Sequence, residues 1–332
     1  MVARGRLLAA AIVLAAVSVR SGIAQPAADC GKAKTPAEKA ICGDPQLAAA
    51  DAAMAKAYAA LFQSEQPAQQ SQLRANQRRW ISARDGACTE QKDEAFVRCL
   101  SAETDRRRGF LAGEGANGPA GAPPLIPTFF NDSKTSVYEI AVDYPQFAPP
   151  VGTNFNRAVR ELTMDAKLLA EYRKPVPFST PGASNYYQVT YETTYLVPHL
   201  AAVTFQIEDY AGGAHPNHSR AAMLWDPADD QGVKLSDILG DPATAAPAIS
   251  AVCKGKLQAQ AKEEDWELFD NADVAAVVGG TKSWAADKDG VTILFDPYSV
   301  ASYAAGPHEC RLSYGELAPW LKPGGPLSPR RE

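Results

Sequence analysis

The chain has 332 residues, with 33 Lys+Arg against 38 Asp+Glu, 46% hydrophobic and 21% charged residues. This is an ordinary globular composition, long enough for two cores. No apolar run reaches the roughly 18 to 20 residues of a spanning helix, which argues against an integral membrane protein, and the net charge of −5 argues against nucleic acid as a partner.

Residues 1–25 read as an export signal. Arg4 and Arg6 precede an apolar stretch from Leu7 to Val19 in which Ser18 is the polar exception, and Gly22-Ile23-Ala24 supplies small residues for cleavage. The expected location is periplasmic or secreted. Asp29 before Cys30 argues against a lipid anchor, which requires a small residue there. Removing the signal takes away three arginines and no acid, leaving 30 basic against 38 acidic residues, or −8. Residues 26–111 hold 13 basic and 11 acidic residues, whereas 128–332 hold 17 and 26, so the second segment carries the acidic field.

Residues 26–111 read as a small all-α domain. Thr35-Pro36-Ala37-Glu38 joins an N-cap, a proline at the first helical position and a returning acid, which predicts a helix to about Cys42. Asp44-Pro45 repeats the start signal. Leu47, Met54, Tyr58 and Leu61 then line one helical face, Leu73, Gln77, Trp80, Ile81 and Arg84 the next, and Phe96, Leu100, Arg107 and Leu111 the last. So thin a core in an exported domain calls for disulfides, with Cys30, Cys42, Cys88 and Cys99 pairing among themselves in one of three connectivities. Spacings of 12 and 11 residues and a domain without histidine argue against zinc.

Residues 112–127 (AGEGANGPAGAPPLIP) read as a linker. Gly113 to Gly118 fits GxGxxG, but with no strand before it and no helix after it this is a false phosphate motif. Residues 128–332 read as an α+β domain with an antiparallel sheet. Val137–Val142 is strand-like, and Phe155, Val159, Leu162, Ala166 and Leu169 recur at helical spacing. Tyr187, Val189 and Tyr191 pair with Val203, Phe205 and Ile207 through a turn at Val197-Pro198-His199. Asp229 to Gly232 and Asp287 to Gly290 are turns, the second leading into Val291, Ile293 and Phe295, and helices fill much of 242–275. Cys253 and Cys310 are expected to pair, a bridge worth about 4 kcal/mol by chain entropy. The tail from Lys322 is expected to be loose.

The search for reaction chemistry is mostly negative. GxSxG, HExxH, SxxK and Walker patterns are missing, and pairing leaves no spare cysteine. His215-Pro216-Asn217-His218 has a spacing that suits a metal on a helix, but the proline and preceding glycines favour a loop. Glu263, Glu264, Asp265 and Glu267 read as a solvated helix face. No metal or cofactor is expected and the protein is read as non-enzymatic. Gly212, Gly213 and His215 after one strand, and Pro297, Tyr298 and Tyr303 after another, form loops suited to binding a partner. Tyr298 and Tyr303 fit either a core beside a bend or aromatic anchors.

Tyr-Ala-Gly-Gly-Ala-His at 210–215, Phe-Asp-Pro-Tyr at 295–298, Tyr303, Gly306 and Leu-Ser-Tyr-Gly-Glu-Leu at 312–317 resemble the extracellular domain of the anti-sigma factor RsiV, which also occurs beside peptidoglycan deacetylases. Cys30, Ala33, Glu38, Ile41-Cys42, Leu47, Asp51, Tyr58, Gln77, Trp80, Arg84-Asp85, Cys88 and Cys99-Leu100 resemble the N-terminal domain of the LprI lysozyme-inhibitor family. Both resemblances imply a partner that is lysozyme or another basic muramidase, and an acidic domain suits a cationic enzyme. The chain lacks the transmembrane helix and sigma-binding segment of RsiV and any deacetylase domain. The alternative is an envelope module that binds peptidoglycan or another wall component directly.

Overall fold

A computed structural model describes residues 28–114, 121–175 and 184–328. Residues 1–25, expected to be an export signal, lie outside the described residues, as do positions 115–118 of the GxGxxG match.

The N-terminal region is helical: α1 (Pro36–Gly43), α2 (Pro45–Ser64), α3 (Pro67–Thr89) and α4 (Asp93–Leu111). Thr35 and Glu38 close a capping box on α1, Thr35 Oγ1 accepting from Glu38 N at 3.1 Å and Glu38 Oε2 from Thr35 N at 2.9 Å. Asp44 caps α2 through Gln46 N and Leu47 N. The cysteines pair locally, Cys30 with Cys42 and Cys88 with Cys99, so each bridge staples a helix end to its neighbour in sequence. Met54, Tyr58, Leu61 and Leu73 form a core that is completed from outside the domain by Phe129.

Phe129 belongs to β1 (Leu125–Lys134), which begins three residues inside the stretch expected to be linker. The boundary at 127 is therefore corrected: Leu125 is buried in the sheet core and Ile126 packs beside Phe129, so these apolar side chains supply a strand face. The remaining strands of this sheet are β2 (Tyr138–Phe147), β3 (Asn185–Val197), β4 (Leu200–Tyr210), β5 (Asn217–Asp226) and β6 (Gln231–Gly232), in sequential order. All neighbours are antiparallel except β2 and β3, which are parallel because a helical crossover separates them. That crossover is two helices rather than the single helix its periodicity suggests: α5 (Thr153–Thr163) stops, and Asp165 starts α6 (Ala166–Tyr172) by accepting from Lys167 N and Leu168 N. Phe155, Val159 and Leu169 pack on one face of the sheet against Ile140, Val142, Tyr187, Val189, Val203 and Phe205.

The other face is shared. At one side α3 lies against β1, where Gln72 Oε1 accepts from Asn131 N at 2.6 Å. Asp143 of β2 accepts from Asn76 at 2.6 Å and pairs with Arg79 at 3.0 Å. At the far side, Leu200, Ala202 and Leu224 join a second core formed by α7 (Leu235–Ile238), α8 (Pro242–Glu263), α9 (Val274–Val278), a three-stranded antiparallel sheet of β7 (Trp284–Ala286), β8 (Gly290–Phe295) and β9 (His308–Ser313), and α10 (Tyr314–Leu317). The Cys253–Cys310 bridge ties α8 to β9. Gly290 admits no larger residue, since an added Cβ would sit 2.2 Å from Leu312 O. Two expectations change here. The Glu263–Glu267 run ends α8, with Asp265 at φ 57°, rather than continuing a helix face. The tail is packed as far as Ser328: Lys322 N donates to Ile238 O at 2.8 Å, and Leu327 is buried in the core.

Candidate functional site

The two glycine-marked loops, distant in sequence, meet at one end of the shared face. After β4 the chain turns through Gly212 at φ 95° and Gly213 at φ 119°, a left-handed backbone that glycine adopts without steric cost. Tyr210 Oη closes the turn by donating to Gly213 O at 3.0 Å. His215 projects from it and stacks on Tyr303, ring centroids 4.1 Å apart, while Tyr303 Oη donates to Pro216 O at 2.6 Å. Tyr303 opens a short 3-10 turn in the loop between β8 and β9, and Tyr298 lies 5.4 Å from its ring. Ser299 N bonds back to Asp296 O at 3.0 Å, so Pro297 and Tyr298 are the central pair of a tight turn.

Tyr298 occupies the position of that turn where glycine is favoured, with φ 67°, and its side chain is 61% exposed. Of the two sequence readings of this residue, the core one fails. Tyr303, half-buried between His215 and Tyr298, supports the loop contact. His218 lies in β5, paired across the sheet with Glu208, with Nδ1 3.9 Å from Glu208 Oε2, and its ring is 6.4 Å from that of Tyr303.

Behind this aromatic mouth is a cleft of about 540 Å³. Its back is held by Arg220 of β5, whose backbone N–H donates to Asp296 at 2.8 Å and whose guanidinium donates to Phe295 O at 3.1 Å, to His308 O at 2.9 Å and to Glu309. Arg220 thus clamps the small sheet to the large one. Burial pushes the Asp296 carboxyl above its ordinary range, and the bond and charge of Arg220 oppose that push. His308, stacked on Trp266 at 3.8 Å, is pushed down by burial. The sequence reading missed Arg220 and the whole of β5; the available signal was an arginine inside the otherwise small and apolar run Ser219-Arg220-Ala221-Ala222-Met223.

The cleft continues over β3 and β4 into a second trough of about 830 Å³ whose far wall is α4. Thr190 and Gln206 line both parts. In the helical domain, by contrast, the residues that carry its family resemblance are structural: Asp51 is buried and accepts from Ala28 N at 2.9 Å, Gln77 accepts from Arg107 at 3.0 Å, and Arg84 lies over the Trp80 ring. Every cysteine is in a bridge, so the site has no thiolate. Its side chains offer hydrogen bonds, aromatic faces and carboxylates, a set suited to recognition.

Residues 28–111 match the family described as "Lysozyme inhibitor LprI", and residues 236–315 match one described as "Protein of unknown function (DUF3298)". Among curated proteins, Immunogenic protein MPT64 of Mycobacterium tuberculosis and Immunogenic protein MPB64 of Mycobacterium bovis are each 25% identical over 170 residues, covering 51% of this chain and 72% of the relative. Two solved structures of DUF3298 family proteins are each 18% identical with a TM-score of 0.43. The one from Bacteroides fragilis covers 61% of this chain and 94% of its own, and the one from Pseudomonas aeruginosa 63% and 98%. The chain therefore joins a disulfide-stapled helical region similar to the lysozyme inhibitor LprI to a sheet-rich region similar to DUF3298.

Proposed function

We propose that this protein is exported, makes no covalent chemistry, and binds lysozyme or another basic muramidase so as to occlude its cleft. The observation that carries the proposal is the match of residues 28–111 to the LprI inhibitor family. The resemblance of the C-terminal region to the lysozyme-binding domain of RsiV supports it independently. So does the aromatic mouth, where Tyr298 stands out in a strained turn and packs on little of its own protein. Exposed aromatic anchors of this kind are typical centres of interfaces that bury about 800 Å² on each side. The acidic excess of residues 128–332 steers a cationic enzyme toward the mouth.

The experiment is lysis of cell-wall suspensions by lysozyme with increasing amounts of the mature, disulfide-bonded protein. The expected outcome is a falling rate, with association that slows as salt is raised. An unchanged rate at large molar excess against a panel of lysozymes rejects the proposal.

A further inference from the structure

We propose that the trough between the helical domain and the small sheet binds a glycan chain, a polymer of pyranose rings bearing hydroxyl and amide groups. Strand register defines the floor of this trough. Thr190 pairs with Gln206 and Gln206 with Arg220, while the flanking rows are Gln188 with Glu208 and Glu192 with Thr204. These positions alternate with Val189, Val203 and Phe205, which point into the core under α5 and α6. The polar set therefore shares the opposite face.

A polar outer face is ordinary for an antiparallel sheet; walls on both sides of it are not. Here Phe110 of α4 stands on one side and Tyr303 on the other. The enclosed volumes, about 540 and 830 Å³, fall in the range of ligand clefts, roughly 300 to 1,000 Å³.

The chemistry of the uncommitted side chains selects the ligand. The carboxylates lining the trough are largely engaged: Glu208 accepts from Tyr186 Oη at 2.7 Å, Asp296 accepts from the Arg220 backbone N–H at 2.8 Å, and Asp105 and Glu114 pair with Arg108. What stays presented is Thr190, Gln206, Thr204 and Gln188, groups that donate and accept together. Sugar hydroxyls and acetamido groups need that dual capacity, and Phe110 and Tyr303 add apolar aromatic surface at the two walls. A lysine- or arginine-rich peptide would instead need free carboxylates. Among the described residues Glu192 is the floor carboxylate with neither an ion pair nor a side-chain hydrogen bond, whereas Glu208 is held by Tyr186.

The inference does not depend on lysozyme. Its test is equilibrium binding of the full mature protein to soluble β-1,4-linked N-acetylglucosamine oligomers and to purified wall sacculi, with lysozyme absent. Saturable binding that hardly changes with salt is expected, weakened about tenfold or more in Thr190→Val with Gln206→Leu. Both residues are exposed, and an unchanged unfolding midpoint confirms the fold of that variant. Binding to the oligomers but not to sacculi assigns the site to another glycan and keeps the inference. Absence of binding to both, binding indifferent to the double substitution, or salt-sensitive occupation of the trough by a lysine-rich peptide overturns it.

Discussion

Tyr298 is a single residue held in an unfavourable backbone conformation with its ring in solvent. A bulky side chain at φ 67° costs of order 1 kcal/mol or more, and its exposed ring recovers little of that by packing. Tyr298→Gly is accordingly expected to raise stability by about 0.5 to 1 kcal/mol in denaturant titrations. On the proposed function, the same change is also expected to weaken lysozyme binding by removing the aromatic anchor. Equal or lower stability together with unaltered inhibition shows instead that the turn is incidental. Asp296-Pro297 before a tyrosine, following a run of alternating apolar residues, is enough to end the strand in a loop there. The positive φ was not readable, because the turn's signature calls for glycine at that position.

Among the elements, bridges and helices divide the work by loop length. The Cys253–Cys310 bridge closes 57 residues and joins α8 to β9, whereas Cys30–Cys42 and Cys88–Cys99 close 12 and 11. Chain entropy makes the long bridge worth about 4 kcal/mol and each short one about 3. Replacing Cys253 and Cys310 by alanine should therefore lower the denaturation midpoint more than replacing either short pair, and the reverse order contradicts the entropic account. The caps at Thr35, Asp44 and Asp165 are local hydrogen bonds over two or three residues, which is why the starts of α1 and α2 are evident from the chain's order. The break between α5 and α6 was not, since Ala166 and Leu169 continue the apolar spacing across it. The parallel pairing of β2 with β3 also escaped local pattern, because direction follows from the path of the crossover.

The whole molecule departs most from two domains on a flexible tether. Asp143 of the sheet, with Asn76, Arg79 and Arg107 of the helices, forms a largely buried polar network at their junction. Burial pushes the Arg107 guanidinium down to about 10, the charge of Asp143 opposing the shift. Three aromatic rings, Trp80, Phe110 and Phe129, also face it. Removing the one carboxylate leaves two guanidiniums without their acid, so Asp143→Ala should cost about 3 kcal/mol. It should also split a single unfolding transition into two in calorimetry; a single transition at unchanged temperature contradicts that coupling. This docking gives the trough its second wall. Residue types, helix caps, turn positions and the face of each strand are short-range properties, and they could be read along the chain with the periods of 3.6 and 2. That α3 lies on β1, that Arg220 reaches Glu309, and that His215 stacks on Tyr303 are meetings of residues some 50 to 90 positions apart. No local periodicity encodes such contacts; they follow from burying several amphipathic faces against one another at once.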